Sequence, residues 1–283
     1  MPMPRVLTIQ DISCVGRCSM TVALPVLAAC GVEACPLPTA VLSTHTGSFG
    51  APHVADLTDH MPLMAAHWQR AGLKFDVISC GYLGGVGQME CVEKIFDMLA
   101  APGCVKIIDP AMADHGKLYA GFDDAFVEHM KEFCTKADWL LPNLTEACLL
   151  TGAEFREHYD RGYIVCLVDQ LMAMGCKNIL LTGVSFEEGT TGVMVNGEYI
   201  SHRRLPRSCH GTGDLFAAVF AGLLAKGSGG LDAARVAADF TLSCMEYTFR
   251  ETETPYGVMF EPLLGKLTGL STQYPCESHT NVL

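Results

Sequence analysis

The chain has 283 residues, 49% of them apolar and 18% charged, which is enough apolar material for a two-sided core and argues against disorder. Its formal net charge of −12, from 31 acidic against 19 basic residues, argues against nucleic acid or an anionic membrane as a partner. An anionic ligand would need local donors and a metal ion.

Short apolar runs alternate with longer helical patterns, predicting an α/β fold with a mainly parallel central sheet and helices on both faces. Val6 to Gln10 reads as the first strand, followed by a loop with Asp11 and Gly16 and a helix from about Ser19 to Cys30. Val32 to Leu37 and Ala40 to Ser43 read as two strand-like runs, and Val54 to Ala71 as a helix. Phe75 to Ser79 is a buried strand, Gln88 to Leu99 a helix, and Val105 to Ile108 another strand ending at Asp109-Pro110. Trp139 to Leu141 leads to Pro142-Asn143, and Ile179 to Thr182 ends at Gly183. Gly192 to Asn196 with Tyr199 to His202 reads as a hairpin across Gly197-Glu198. Residues 1–270 are expected to form one domain and 271–283 a polar, aperiodic tail.

The 14 cysteines contain no Cys-x-x-Cys pair, and Cys14 with Cys18, or Cys30 with Cys35, lack the spacing of a zinc knuckle. The start, Met-Pro-Met-Pro-Arg, lacks the apolar region of a signal peptide, and no stretch approaches the ~20 apolar residues of a membrane span. The expectation is a cytoplasmic protein with reduced, mostly buried thiols.

Asp11, Gly81, Asp109 and Asn143 all fall at the C-terminal ends of predicted strands, the edge where open parallel sheets bind ligands. The most informative stretch is Cys209-His210-Gly211-Thr212-Gly213-Asp214, which opens into Leu215 to Ala225, a helix with no polar face. Glycines without Cβ let the backbone approach a bulky anion, and the helix start aims free N–H groups at it. A carboxylate beside an anion site is repulsive unless it has a task, and the task that fits Asp214 is accepting the proton of an attacking hydroxyl.

Asp109 and Glu146 are placed to reach Mg²⁺ directly or through its waters, while Glu146 also reads as the capping partner of a helix start. A Cys209–His210 nucleophile pair is disfavoured because neighbours on a turn seldom face each other. Neither a P-loop nor protein-kinase signatures occur, and Gly81 to Gly87 lacks the dinucleotide spacing.

Several segments taken in order resemble the vitamin B6 branch of the ribokinase superfamily, the pyridoxal/pyridoxine/pyridoxamine kinases. They are Ile9-Gln10 with Gly16, Pro36-Leu37-Pro38-Thr39, Ser43-Thr44-His45-Thr46-Gly47, Gly81-Tyr82-Leu83-Gly84, Asp109-Pro110-Ala111-Met112, Pro142-Asn143-Leu144-Thr145-Glu146 and Gly211-Thr212-Gly213-Asp214. The resemblance implies ATP-dependent phosphorylation of a vitamer's 5′-hydroxymethyl group in a ribokinase-like homodimer. By it, Asp214 is the general base, and Gly211, Thr212 and Gly213 form the anion hole. Asp109 and Glu146 organise Mg²⁺, Asn143, Thr182 and Gly183 lie by the nucleotide, and Thr46, Gly47 and Tyr82 flank the pyridine ring. The family commonly has Ser where this chain has Asp11, and Phe where it has Leu42. Asp11 suits a cationic substituent such as an aminomethyl, or the ring groups of a hydroxymethylpyrimidine. The alternatives are a hydroxymethylpyrimidine kinase of thiamine synthesis, a dehydratase acting on hydrated NAD(P)H, and a non-catalytic B6-binding protein.

Overall fold

The computed structural model describes residues 3–47, 49–252 and 256–270; the expected tail at 271–283 lies outside them. Its elements in chain order are β1 (Arg5–Ser13), α1 (Met20–Ala29), β2 (Glu33–Leu42), β3 (Val54–Asp56), α2 (Met61–Arg70), β4 (Phe75–Cys80), α3 (Val86–Leu99) and β5 (Ala100–Ile108). A small hairpin follows, β6 (Ala113–Asp114) and β7 (Lys117–Leu118), then α4 (Asp124–Cys134), β8 (Trp139–Leu140), α5 (Leu144–Thr151) and α6 (Arg161–Ala173). The last part comprises β9 (Leu180–Val184), β10 (Thr190–Val195), β11 (Glu198–Arg203), α7 (Thr212–Ala225), α8 (Gly230–Glu251) and α9 (Gly265–Leu270).

The main sheet runs β3-β2-β1-β4-β5-β8, parallel from β2 to β8 with β3 antiparallel at the edge. Parallel bridges Leu140↔Ile179 and Asn143↔Thr182 lead from β8 into the second sheet, β9-β10-β11. Each central strand is buried on both sides, so its residues alternate between two cores. Leu7, Ile78 and Ile108 pack with α2 to α6, while Val6, Val77 and Ile107 pack with α1, α7 and α8. The chain passes from β1 to β2 on one side and returns to β4 on the other. The strand order therefore reverses at β1/β4, which places a ligand crevice at the C-terminal ends of those strands.

Two local expectations change. The predicted break inside residues 32–43 is absent: β2 runs unbroken through Pro36 and Pro38. The two prolines are two residues apart, so their missing N–H groups lie on one edge, and β3 covers β2 only from Ala40 onward. The helix expected from Val54 begins only at Met61, because Val54–Asp56 adds to the sheet edge instead. Pro62 in the first turn of α2 marks that later start.

Candidate active site

Gly211 is the N-cap of α7, with φ +79 and no side-chain cap. The first N–H groups of this buried helix therefore meet no capping side chain and point toward the crevice, the arrangement that holds an anion. Asp214, in the first turn, is half-buried. Burial pushes its carboxyl up to about 6, with Asp11 adding and the Ser19 backbone N–H opposing. Ser19 holds the strained backbone φ 52 just before α1.

Asp109 follows β5, its N–H donating to Cys80 O at 2.8 Å. Its Oδ1 accepts the Ala111 N–H at 3.1 Å. Burial and then the charge of Asp214 raise its pKa, and both residues line one cavity. Beneath them a cavity of about 10 Å³, room for about one water, is lined by Thr8, Gln10, Ser79, Asp109 and Asp214 among others.

Glu146 is 2% exposed and completes a capping box with Asn143. Its Oε1 accepts the N–H of Met112 at 3.0 Å and of Ala113 at 3.4 Å, and its Oε2 accepts the Asn143 N–H at 2.9 Å. Burial, then Asp109, push its carboxyl up against the pull of those three donors. Asn143 also donates from Nδ2 to Ala113 O at 2.8 Å, so this helix start holds the β6–β7 hairpin over the sheet edge. Thr182 donates its N–H to Pro142 O at 2.9 Å, and Gly183 (φ +74) is exposed beside it, with open space on the side where a Cβ would stand.

On the other side of Asp214, Asp11 is 4% exposed on β1 and accepts the Ser13 hydroxyl at 2.9 Å. Tyr82 lies within its electrostatic reach, and burial followed by Asp11 raises the phenol's pKa. The Tyr82 ring packs against Phe122, with centroids 5.7 Å apart. Thr46 and Gly47 are exposed on the loop after β2, and the Gly47 N–H donates to His45 Nδ1 at 3.0 Å.

Four residues that the sequence reading gave no site role also lie about the crevice. His45 is buried, and its Nε2 bonds Tyr256 O at 2.7 Å; with Nδ1 accepting, that fixes Nε2 as the protonated nitrogen. His210 packs 5.1 Å from His45, centroid to centroid, and over Gly47, where an added Cβ would lie 2.4 Å from its Cε1. Burial, then His45, lower its pKa. The imidazole thus joins the loop after β2 to the anion turn, and the half-buried Cys209 thiol, pushed up to about 11 by desolvation, is no activated nucleophile. Tyr119, after the β6–β7 hairpin, donates its N–H to Met112 O at 2.8 Å, and its phenol is raised by burial and then by Glu146, Asp114, Asp109 and Asp214. Cys18 lies within electrostatic reach of Asp214 and Asp11. The signal for His45 and His210 was their adjacency to Thr46-Gly47 and Gly211; nothing local in the sequence marks Tyr119 or Cys18.

This sheet order, with a glycine turn and a carboxylate at the mouth of a buried helix, defines a ribokinase-like α/β fold. The comparisons agree. Residues 22–258 match the Phosphomethylpyrimidine kinase family. Pyridoxal kinase from Lactobacillus plantarum is 34% identical with a TM-score of 0.88, covering 96% of this chain and 99% of that one. A Bacteroides thetaiotaomicron protein solved with pyridoxal is 33% identical with a TM-score of 0.87, covering 94% and 96%. The pyridoxal kinase of Dictyostelium discoideum is 26% identical over 212 residues, 70% of this chain and 66% of that relative. The chain belongs to the phosphomethylpyrimidine kinase family of the ribokinase superfamily. Among the described residues no helix is long and apolar enough to cross a membrane.

Proposed function

We propose that the chain transfers the γ-phosphoryl group of ATP to the 5′-hydroxymethyl group of a vitamin B6 vitamer. One observation carries the reading: a half-buried carboxylate, Asp214, raised to about 6, sits in the first turn of a buried helix whose leading N–H groups are uncapped. In this reading Asp214 takes the hydroxyl proton as the oxygen attacks the γ-phosphorus and the bond to the β-phosphate oxygen breaks. The N–H groups after Gly211 neutralise charge on the transferring group, so catalysis is positioning plus electrostatics. Asn143, Thr182 and Gly183 line the sheet edge on the nucleotide side, and Asp11, Thr46, Gly47 and Tyr82 border the acceptor.

The donor set suits Mg²⁺ bound mainly through water and phosphate. Glu146 already accepts three backbone N–H groups, which fits a role through a retained water, while Asp109 accepts one and keeps Oδ2 free among the described residues. Among those residues no group of three or more metal-ligating side chains is gathered, which suits an ion that keeps its waters. When bound, Mg²⁺ would neutralise charge on the phosphates.

The test is a panel of pyridoxal, pyridoxine, pyridoxamine and hydroxymethylpyrimidine with MgATP, following ADP and the phosphorylated product. Turnover of any B6 vitamer with kcat/KM above that of the pyrimidine supports the reading. Turnover of the pyrimidine alone overturns it in favour of the thiamine-pathway chemistry that the family's name carries.

A further inference from the structure

Asp11, Asp214, Asp109 and Glu146 form a chain of carboxylates through the crevice, each within electrostatic reach of the next. None of the ion pairs among the described residues includes any of them. Of the two basic side chains six residues from Asp11, Arg5 pairs with Glu33 at 2.7 Å and Arg17 with Glu261 at 2.6 Å. A ligand that carries positive charge is therefore favoured here. A metal-bound triphosphate offsets the Asp109 and Glu146 end and remains anionic overall. Asp11 is at the other end.

Its surroundings leave it available to such a ligand. Asp11 is 4% exposed, and Oδ2 accepts the Ser13 hydroxyl while Oδ1 accepts no hydrogen bond among the described residues. One neutral donor leaves the carboxylate with acceptor capacity for a ligand. The register between β1 and β2 shifts between Gln10 and Ile12, so Asp11 sits at the irregularity, a device that re-aims a side chain. β2 pairs Pro38 with Gln10 and Val41 with Ile12, and Thr39 between them donates its hydroxyl to Tyr82 O at 3.5 Å, which sets Asp11 on the same side of the crevice as Tyr82; Asp214 lies within its electrostatic reach.

Resting on the vitamer reading above, we propose that Asp11 selects the acceptor by charge: a protonated aminomethyl substituent beside the reacting hydroxymethyl, as in pyridoxamine, binds opposite its carboxylate. Pyridoxine and pyridoxal, with a hydroxyl or aldehyde there, offer the carboxylate no opposite charge.

The experiment measures kcat/KM for pyridoxamine and pyridoxal in the wild type and in Asp11→Asn, with Asp11→Ser as a second variant. Asn has the same shape and its Oδ1 can still accept the Ser13 hydroxyl, so it tests charge more than packing. The pyridoxamine-to-pyridoxal ratio should fall by roughly 10- to 150-fold, the range for a charged hydrogen bond. A ratio that moves less than about threefold, or an equal loss on both vitamers, overturns the proposal. Calorimetric binding of the two vitamers without nucleotide reads the same preference in the absence of turnover. Pyridoxamine should bind the wild type at least about tenfold tighter, a preference lost in both variants; equal dissociation constants overturn the proposal. If the wild type phosphorylates no vitamer, the kinase reading falls on its own, and the binding ratio still decides the role of Asp11.

Discussion

Gly211 lies against the backbone of Arg17: a Cβ at position 211 would stand 1.9 Å from the Arg17 carbonyl oxygen. The anion turn is thus pressed onto the loop between β1 and α1. That loop is fastened in turn, since Arg17 pairs with Glu261 and lies 5.6 Å from the Tyr256 ring centroid. His210 O accepts the Val258 N–H at 3.0 Å, tying the turn to the same C-terminal segment. Residues far apart in sequence therefore set where the N–H groups of α7 point.

Gly211→Ala should consequently misplace those donors. Both the positive φ and the backbone contact oppose a side chain there, and backbone carbonyls do not swing away as flexible side chains do. Turnover should drop by ~10²–10³-fold, the scale of losing an oxyanion-hole donor. Steady-state kinetics alongside a thermal melt checks this. A folded variant with near-normal turnover would show that the turn does not contact the transferring group.

Much of the crevice was legible because its residues mark the ends of local elements. Asp109 and Asn143 follow strands, and Gly211 with Asp214 opens a helix, so turn chemistry and periodicity expose them. The dual reading of Glu146 was also available, since Asn143 and Glu146 have the capping-box spacing, and the box is formed. The rest depended on tertiary partners. Pro36 and Pro38 look like strand breakers until the uncovered edge of β2 is seen, and Val54–Asp56 is a strand only because β2 is there to pair with it. His45 and His210 meet across 165 residues of sequence, and a two-residue strand such as β6 carries no periodicity to detect.

The pH profile should carry the signature of Asp214. A base must be ionised, and burial raises this carboxyl to about 6, so kcat/KM should fall tenfold per pH unit as pH drops below that value. The limb that belongs to Asp214 should be lost in Asp214→Asn, while any limb from Asp109 and Glu146, whose carboxyls burial also raises, stays. A wild-type rate that stays flat down to pH 4.5 would remove Asp214 from the role.

Asp214→Asn itself should cut turnover by roughly 10²–10⁴-fold while leaving nucleotide binding largely intact. Its stability should move the other way. A carboxyl whose folded pKa is raised contributes stability that is present below its ordinary pKa and lost as pH rises through about 6. At pH 8 the charged form is a burden on the fold, and the neutral Asn removes it. The variant should melt at or above the wild-type temperature at pH 8, and that advantage should vanish by pH 4. Turnover within about threefold of the wild type would sink the base assignment.

Glu146→Gln separates the cap from the metal. The carboxylate accepts N–H groups at both oxygens, and an amide replaces one of those acceptors with a donor. One backbone N–H, either of Asn143 or of Met112, must then lose its partner, at a cost of about 1–3 kcal/mol and a lower melting temperature. That loss tests the cap alone. If Glu146 also orients a metal-bound water, the Mg²⁺ concentration for half-maximal rate should rise, by roughly 10–100-fold as for other outer-shell partners, while vitamer affinity measured without nucleotide stays within threefold. A lower melting temperature with an unchanged Mg²⁺ titration would confine Glu146 to holding the start of α5 and the hairpin above it.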